Sequence, residues 1–247
     1  MVSNMKVICI VQARVGSTRL PGKVLKKICE KTVLEHDVDR LKQVKNIDEI
    51  IIATTELERD DSIVEECKRL NVNYFRGSEE NVLSRYYYAA KENNADVVVR
   101  VTSDCPLIDP EVSSRIIDFY FKNREKYDYV SNTIDRTYPR GLDTEVFSFK
   151  ALERAFKEAT LERDKEHVTP YIWDNPEKFR LAQYKNDLDY SYLRWTLDTK
   201  EDYELINEIY KELYDGKNKF YLDDILKLLE RKPELKKINQ HIKQKEV

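Results

Sequence analysis

The sequence predicts a doubly wound α/β fold on a mostly parallel sheet, and three observations predict it. Short apolar runs at residues 6–11, 48–53 and 96–101 alternate with stretches of helical periodicity. The runs are apolar almost throughout, as parallel strands covered on both faces by helices are. A loop rich in glycine and basic residues follows the first run, at the carboxyl end of a strand, where open α/β sheets bind their ligands. Such a β-α-β-α rhythm gives parallel strands joined by right-handed crossovers. With 247 residues, 41% of them hydrophobic, the chain is long enough for one such domain and a substantial core.

The elements follow in order. After the first strand and its loop, a helix over 32–43 presents Val33, Leu34, Val38 and Leu41 at helical spacing. Residues 48–53 form the second strand, ended by Thr54 and Thr55. A helix to about residue 70 carries Ile63, Val64, Cys67 and Leu70 on one face. A short strand over 73–75 turns at Arg76-Gly-Ser78 into a helix over 81–93, and residues 96–101 form the fourth strand. The second half is less regular. A helix over 111–124 has Pro110 near its start. Strands are expected at 127–131, 144–148, 179–184 and 193–197, and helices at 150–159, 164–173, 199–214 and 222–230. Pro170 fits awkwardly inside the 164–173 helix. The 199–214 helix is amphipathic, with Tyr203, Ile206, Ile209, Tyr210 and Leu213 as its stripe. Residues 232–247 read as a polar tail. No internal repeat and no Pro- or Gly-rich linker divides the chain.

Composition excludes several classes. A net charge of −3 and a pI near 5.8 argue against a dedicated nucleic-acid binder. No run of eighteen apolar residues is present, so no membrane span is expected. Residues 1–6 lack the layout of a signal peptide, and a cytoplasmic protein is expected. The four cysteines form no C-x-x-C pair, and the three histidines are scattered. Cys9 and Cys105 read as packing residues.

Chemistry concentrates in a few stretches. The loop Gln12-Ala-Arg-Val-Gly-Ser-Thr-Arg-Leu-Pro-Gly-Lys23 places Arg14, Arg19 and Lys23 beside two glycines that allow close backbone approach. Guanidinium, ammonium and backbone N–H groups are what a polyphosphate requires. The spacing fits neither a Walker A loop nor G-x-G-x-x-G. At the end of the fourth strand, Thr102-Ser-Asp-Cys-Pro-Leu107 presents Asp104, either as plain turn chemistry or as a Mg²⁺ ligand working with phosphates. Asn132 and Tyr138-Pro-Arg-Gly-Leu-Asp-Thr-Glu-Val146 form a second stretch. There Arg140 suits a sugar carboxylate, and Asp143 and Glu145 can accept hydrogen bonds from hydroxyls; a solvated hairpin explains the same residues. In Arg194-Trp-Thr-Leu-Asp-Thr-Lys-Glu-Asp202, helix capping accounts for Thr199 and Asp202 but not for Asp198.

The first loop, the Asp-x-Pro-Leu segment and the Leu-Asp-Thr-x-x-Asp segment together resemble the CTP-using sugar nucleotidyltransferases. These are the acylneuraminate and 3-deoxy-manno-octulosonate cytidylyltransferases, and the likeness is greatest to the spore coat polysaccharide biosynthesis protein F type. The resemblance runs over about residues 6–215 and is looser between the motifs. It implies a nucleotide-diphospho-sugar transferase fold of Rossmann-like type, with a substrate and dimerisation subregion at about 127–190. It implies a Mg²⁺-dependent transfer of CMP from CTP to an acidic sugar, pyrophosphate release, and a homodimer. The nucleotide would lie on Gln12, Ala13, Arg14, Gly16, Ser17, Arg19, Lys23, Arg76, Ser78, Arg85, Thr102 and Ser103, with Arg14 and Lys23 on phosphates. Asp104 and Asp198 would hold the metal. Asn132, Arg140, Gly141, Asp143, Glu145 and His167 would face the sugar; His167 lies in Glu166-His-Val-Thr-Pro170, a segment typical of the spore coat type. A nucleotidyltransferase for another sugar or polyol phosphate, and a glycosyltransferase on the same fold, remain open at this point.

Overall fold

The computed structural model describes residues 5–244; residues 1–4 of the segment read for a signal, and 245–247 of the tail, lie outside the described residues. The first strand, β1 (Val7–Gln12), is followed by the signature loop, a one-turn 3₁₀ helix (Lys23–Leu25) and a small antiparallel pair, β2 (Lys27–Ile28) and β3 (Lys31–Thr32). Next come α1 (Val33–Leu41), β4 (Glu49–Thr55), α2 (Asp61–Leu70), β5 (Asn73–Gly77), α3 (Val82–Glu92), β6 (Val97–Thr102) and α4 (Pro110–Asn123). The second half holds β7 (Tyr129–Ser131), β8 (Glu145–Ser148), α5 (Phe149–Glu158), α6 (Glu162–His167), α7 (Pro170–Trp173), β9 (Leu181–Gln183), α8 (Lys200–Leu213) and α9 (Leu222–Arg231).

Among the described residues the main sheet has seven strands in the order β5-β4-β1-β6-β8-β7-β9, and only β8 runs against the others. Both faces are apolar because alternate side chains of each central strand enter different cores. Val7, Cys9 and Val11 join Val97, Val99 and Val101 under α1, α4 and α8. Ile8 and Ile10 join Ile51, Val98 and the apolar face of α3 and α5 on the other side. The order reverses at β1, with β4 on one side and β6 on the other. The loops after β1 and β6 therefore flank the switch point, where a doubly wound sheet offers its crevice.

Three expectations are corrected. The 164–173 helix is two helices, because Val168 sits at φ +74° and Pro170 opens α7 as a first-turn residue. Residues 193–197 are not a strand. Their backbone makes the bridge from Arg140 to Arg194 and a bond from the Leu197 N–H to the Asp104 carbonyl; Leu193, Trp195 and Leu197 alternate with polar residues in the sequence, but Arg194 between them is buried as well. The tail is not merely a polar appendage. Leu235 and Asn239 are buried, and a 3₁₀ turn over Pro233–Lys237 packs on α8 and α9.

Candidate active site

The signature loop is held by its own apolar residues and by one buried acid. Leu20 and Val24 enter the core, and Ala13 donates its N–H to the Ala53 carbonyl at 3.0 Å. Fully buried Asp60, not anticipated from sequence, accepts the Val15 N–H at 2.6 Å and the Thr55 hydroxyl. The two glycines serve different ends. Gly22 has φ +67° and open space around it, so it makes the left-handed step into the 3₁₀ turn. Gly16 lies under the Arg59 guanidinium, 3.0 Å from where a Cβ would stand.

The turn puts Lys23 at the centre of the crevice. Its Nζ donates to Asp104 Oδ2 and to Asp198 Oδ1, each at 2.8 Å. Arg19 Nη2 lies 3.0 Å from the same Asp198 oxygen. The two aspartates come from distant segments that are stitched together: Leu197 donates its N–H to the Asp104 carbonyl at 2.7 Å. Each carboxylate has its other oxygen held from behind. Thr102 Oγ1 donates to Asp104 Oδ1 at 2.6 Å, and Arg194 Nη2 donates to Asp198 Oδ2 at 2.9 Å.

Charge follows from this arrangement. Burial works against both members of the Lys23–Asp104 pair, but their mutual attraction outweighs it. The Lys23 ammonium is pushed up to about 12, and the Asp104 carboxyl is held down at about 2, aided by the Thr102 hydroxyl. Beneath them Asp37, on α1, is fully buried, and neither of its oxygens receives a hydrogen bond from the protein. Desolvation, with Asp104 as a neighbouring like charge, raises its carboxyl well above the ordinary range.

Behind Asp198 lies a buried ionic hub. Asp202 accepts Arg194 Nε and Nη2, each at 2.9 Å, the N–H groups of Asp198 and Thr199 at 3.0 Å, and Asn239 Nδ2 at 2.8 Å. Capping alone predicted only the Thr199 part of this. Arg194 Nη1 also donates to Gln244 in the tail. Asn239 was not identifiable from sequence spacing, because its partners Arg194 and Asp202 lie 45 and 37 residues away; Arg194 stands four and eight residues before Asp198 and Asp202, a spacing that the sequence reading did not use.

The nucleotide-side residues divide into two groups. Gln12 and Ser103 are tied at the ends of β1 and β6, where Ser103 N donates to the Gln12 carbonyl at 3.2 Å and Arg100 to Gln12 Oε1 at 3.1 Å. Arg14 turns the other way, 3.7 Å from Glu79. There Arg76, Ser78 and Arg85 border a cavity of about 430 Å³ between β5 and α3, with Tyr88 at its edge. Arg76 is already committed to the Thr55 and Leu57 carbonyls and to Asp61. Arg85 is buried, gives Nη1 to the Ala53 carbonyl at 3.3 Å, and keeps an Nε without a protein acceptor.

The sugar-side expectations need more correction. Asn132 is fully buried and staples the chain, donating to the Leu142 carbonyl at 2.7 Å and accepting Thr144 N–H at 2.9 Å. Glu145 is not open to hydroxyls, because the β6–β8 register sets it opposite Arg100, with which it pairs, while Tyr129 donates to its other oxygen at 2.6 Å. Asp143 is paired with Arg136. Gly141, at φ +102°, is required by packing: a Cβ there would stand 2.6 Å from the Trp195 carbonyl carbon. His167 lies on α6, which packs on α3, and it sits 3.9 Å from Glu166 on its own helix. Arg140 differs from all of these. Its guanidinium forms no salt bridge among the described residues, and burial, with Arg136 and Arg194 as like charges nearby, lowers its pKa although Asp143 acts the other way. Asp143 itself is paired with Arg136.

No group of three or more His, Cys, Asp or Glu side chains among the described residues is placed to hold a metal ion. Any divalent ion would rest on two carboxylates completed by the ligand's own oxygens, a donor set that suits Mg²⁺. That Asp104 and Asp198 already gather around one cationic group, the Lys23 ammonium, shows that they can converge on a single positive charge.

The profile of a family described as cytidylyltransferase matches residues 8–246. This chain belongs to that family. The cytidylyltransferase of Leptospira borgpetersenii serovar Hardjo-bovis has a solved structure similar to this one, with a TM-score of 0.91 and 35% identity over 98% of this chain and all of that one. The spore coat polysaccharide biosynthesis protein SpsF of Bacillus subtilis is 34% identical over 92% of this chain and 95% of its own length. An uncharacterized protein of Methanocaldococcus jannaschii is 42% identical over 98% of this chain and 97% of that protein. The cytidylyltransferase sheet thus carries the signature loop, Asp104 and Asp198 at one crevice. No helix among the described residues is long and apolar enough to cross a membrane.

Proposed function

We propose that this cytidylyltransferase transfers CMP from CTP to an acidic sugar with release of pyrophosphate, using Mg²⁺ held by Asp104 and Asp198. The observation that carries the reading is the convergence of both carboxylates, Asp104 from the end of β6 and Asp198 from the segment before α8, on the cationic end of the signature loop. Bound there, the ion supplies charge neutralisation for the triphosphate. The protein's own groups do the rest. Lys23 and Arg19 lie where they can move from carboxylate to phosphate oxygens. Arg76, Ser78 and Arg85 border the cavity of about 430 Å³ between β5 and α3, and the buried Arg85 N–H without an acceptor among the described residues supports a polar ligand there, the cytosine and ribose of the nucleotide. Arg140, a cation that forms no salt bridge among the described residues, supports an acceptor that carries a carboxylate. In the reaction a sugar oxygen bonds to the α-phosphorus and the bond to the pyrophosphate oxygen breaks. Positioning and charge neutralisation provide most of the acceleration in such a transfer.

The resemblance of the motifs to the family is what supports a homodimer, and the similarity to the spore coat protein supports a role in surface polysaccharide synthesis. The test is a pyrophosphate-release screen of the four nucleoside triphosphates with Mg²⁺, against eight- and nine-carbon sugar acids and against neutral sugar phosphates. CTP with a sugar acid is expected to turn over. Turnover with sugar phosphates alone would overturn the acceptor assignment, and a preference for another nucleotide would overturn the whole reading.

A further inference from the structure

The two carboxylates of the crevice share a feature that neither sequence motif predicts. Each has one oxygen facing the crevice and the other fastened behind it. Asp104 presents Oδ2 to Lys23 while Oδ1 is held by the Thr102 hydroxyl at 2.6 Å. Asp198 presents Oδ1 to Lys23 and Arg19 while Oδ2 is held by Arg194 at 2.9 Å. The two holders are themselves fixed. Thr102 ends β6, where strand pairing with β1 sets its backbone. Arg194 is 7% exposed, is clamped on two sides by Asp202, and has its carbonyl bound by Asn239 at 2.9 Å.

We propose that Thr102 and Arg194 are positioning residues for the cytidylyl transfer: they aim one oxygen of Asp104 and one of Asp198 at a single cation position. A carboxylate with both oxygens free can swing about its Cβ–Cγ bond and offer either oxygen or both. One strong hydrogen bond from behind removes that freedom, as the outer partners of metal ligands do elsewhere. Thr102 therefore acts on Asp104, and not on the nucleotide as its place in the motif implies. The C-terminal segment enters the same design, because Asn239 holds Asp202 and the Arg194 backbone together. The proposal rests on the reading of Asp104 and Asp198 as cation ligands, and the experiment separates the two.

The variants are Thr102→Val, which removes only the hydroxyl, Thr102→Ser, which restores it, and Arg194→Lys, which keeps the charge but loses the planar fork that reaches both Asp198 and Asp202. Asp198→Asn is the control. The first readout needs no ligand: the rate of Lys23 acylation by an amine-reactive ester, followed by mass spectrometry. The second is Mn²⁺ binding followed by electron paramagnetic resonance in the presence of CTP. Thr102→Val and Arg194→Lys should expose the Lys23 amine to faster acylation and weaken Mn²⁺ binding about 10- to 100-fold, the usual cost of losing an outer partner of a metal ligand. Thr102→Ser should behave as wild type. Variants that melt earlier yet acylate and bind Mn²⁺ as wild type would reduce both residues to structural roles and overturn the proposal. If Asp198→Asn binds Mn²⁺ normally while Thr102→Val and Arg194→Lys still free Lys23, the metal reading falls and the aiming of the carboxylates stands.

Discussion

Replacing Lys23 with Met tests the centre of the site, and the structure gives the size of the effect. Asp104 titrates at about 2 against an ordinary carboxyl value of 3.8. One unit corresponds to about 1.4 kcal/mol, so the pairing favours the folded, ionised form by roughly 2–3 kcal/mol. The Lys23 ammonium, raised to about 12, reports the same pair from the other side, so the two shifts are not added. About a quarter of the Asp104 side chain remains exposed, which keeps the loss below the roughly 3–5 kcal/mol seen when a fully buried pair is broken. Lys23→Met should therefore destabilise the protein by about 2–3 kcal/mol at neutral pH, or roughly 4–12 °C in Tm for a domain of this size. The sign with pH follows from linkage. A depressed carboxyl contributes stability that is complete above its unfolded pKa and is lost as pH falls through its folded one. The gap between wild type and variant should thus be widest near neutral pH and shrink between about pH 4 and pH 2. Millimolar Mg²⁺ should restore the variant more than the wild type, because a divalent ion can replace the missing charge. Urea unfolding at several pH values, with and without Mg²⁺, measures all of this. A variant as stable as wild type at neutral pH, or a gap that does not change with acid, would refute the reasoning.

Four further outcomes are expected. Asp37→Leu keeps the branched shape but removes a buried carboxyl with no protein donor, so it should stabilise the fold by about 1–3 kcal/mol at neutral pH. Because the Asp37 pKa is raised, this gain should grow as pH rises above the unfolded carboxyl value and fall below it to the smaller cost of burying the neutral acid; a less stable variant in neutral denaturant titrations would contradict the assignment. Arg140→Ala should raise KM for a sugar acid by one to two decades, from the loss of about 1.5–3 kcal/mol of charge-assisted hydrogen bonding, and leave KM for CTP nearly unchanged in steady-state kinetics. Gly141→Ala should cost at least about 1–3 kcal/mol, read from thermal melts, since any side chain there meets the Trp195 backbone. Asp104→Asn and Asp198→Asn should each raise the Mg²⁺ needed for half-maximal rate, with non-additive losses in the double variant; multiplicative losses would show that they do not share an ion.

Much of the fold was legible because the information is local. The four first-half strands of the main sheet were readable in the sequence, though the short β2–β3 pair was not, and α3, α4 and α8 were readable as periodic stripes; each was placed within a few residues of its observed bounds. The signature loop and Asp104 were legible as motifs at strand ends, and Asp198 as a motif before a helix. Reading failed where one local pattern serves two structures. Residues 193–197 alternate as a strand does, but their backbone bridges only Arg140 before joining the Asp104 carbonyl. Glu145 and Asn132 look like ligand groups in the sequence, yet the β6–β8 register and the 142–144 turn take up their polar atoms. A register is a property of two segments, and neither segment shows it alone.

The sequence by itself determined which residues carry charge, where the parallel strands of the first half run, and that a cationic loop and Asp104 follow two of them while Asp198 precedes a helix whose capping does not need it. Those features follow from side-chain chemistry and from periods of two and 3.6 residues. Only the tertiary structure decided that Lys23 stands between the two aspartates, that Thr102 and Arg194 hold one oxygen of each, and that Asn239 of the tail braces them. It also decided that Arg140, alone among the candidate sugar ligands with a charge, forms no salt bridge among the described residues. These are pairings across up to 175 residues of chain. They are selected by the folded core, which brings the segments together and leaves each buried charge with either a partner nearby or an energetic cost for lacking one.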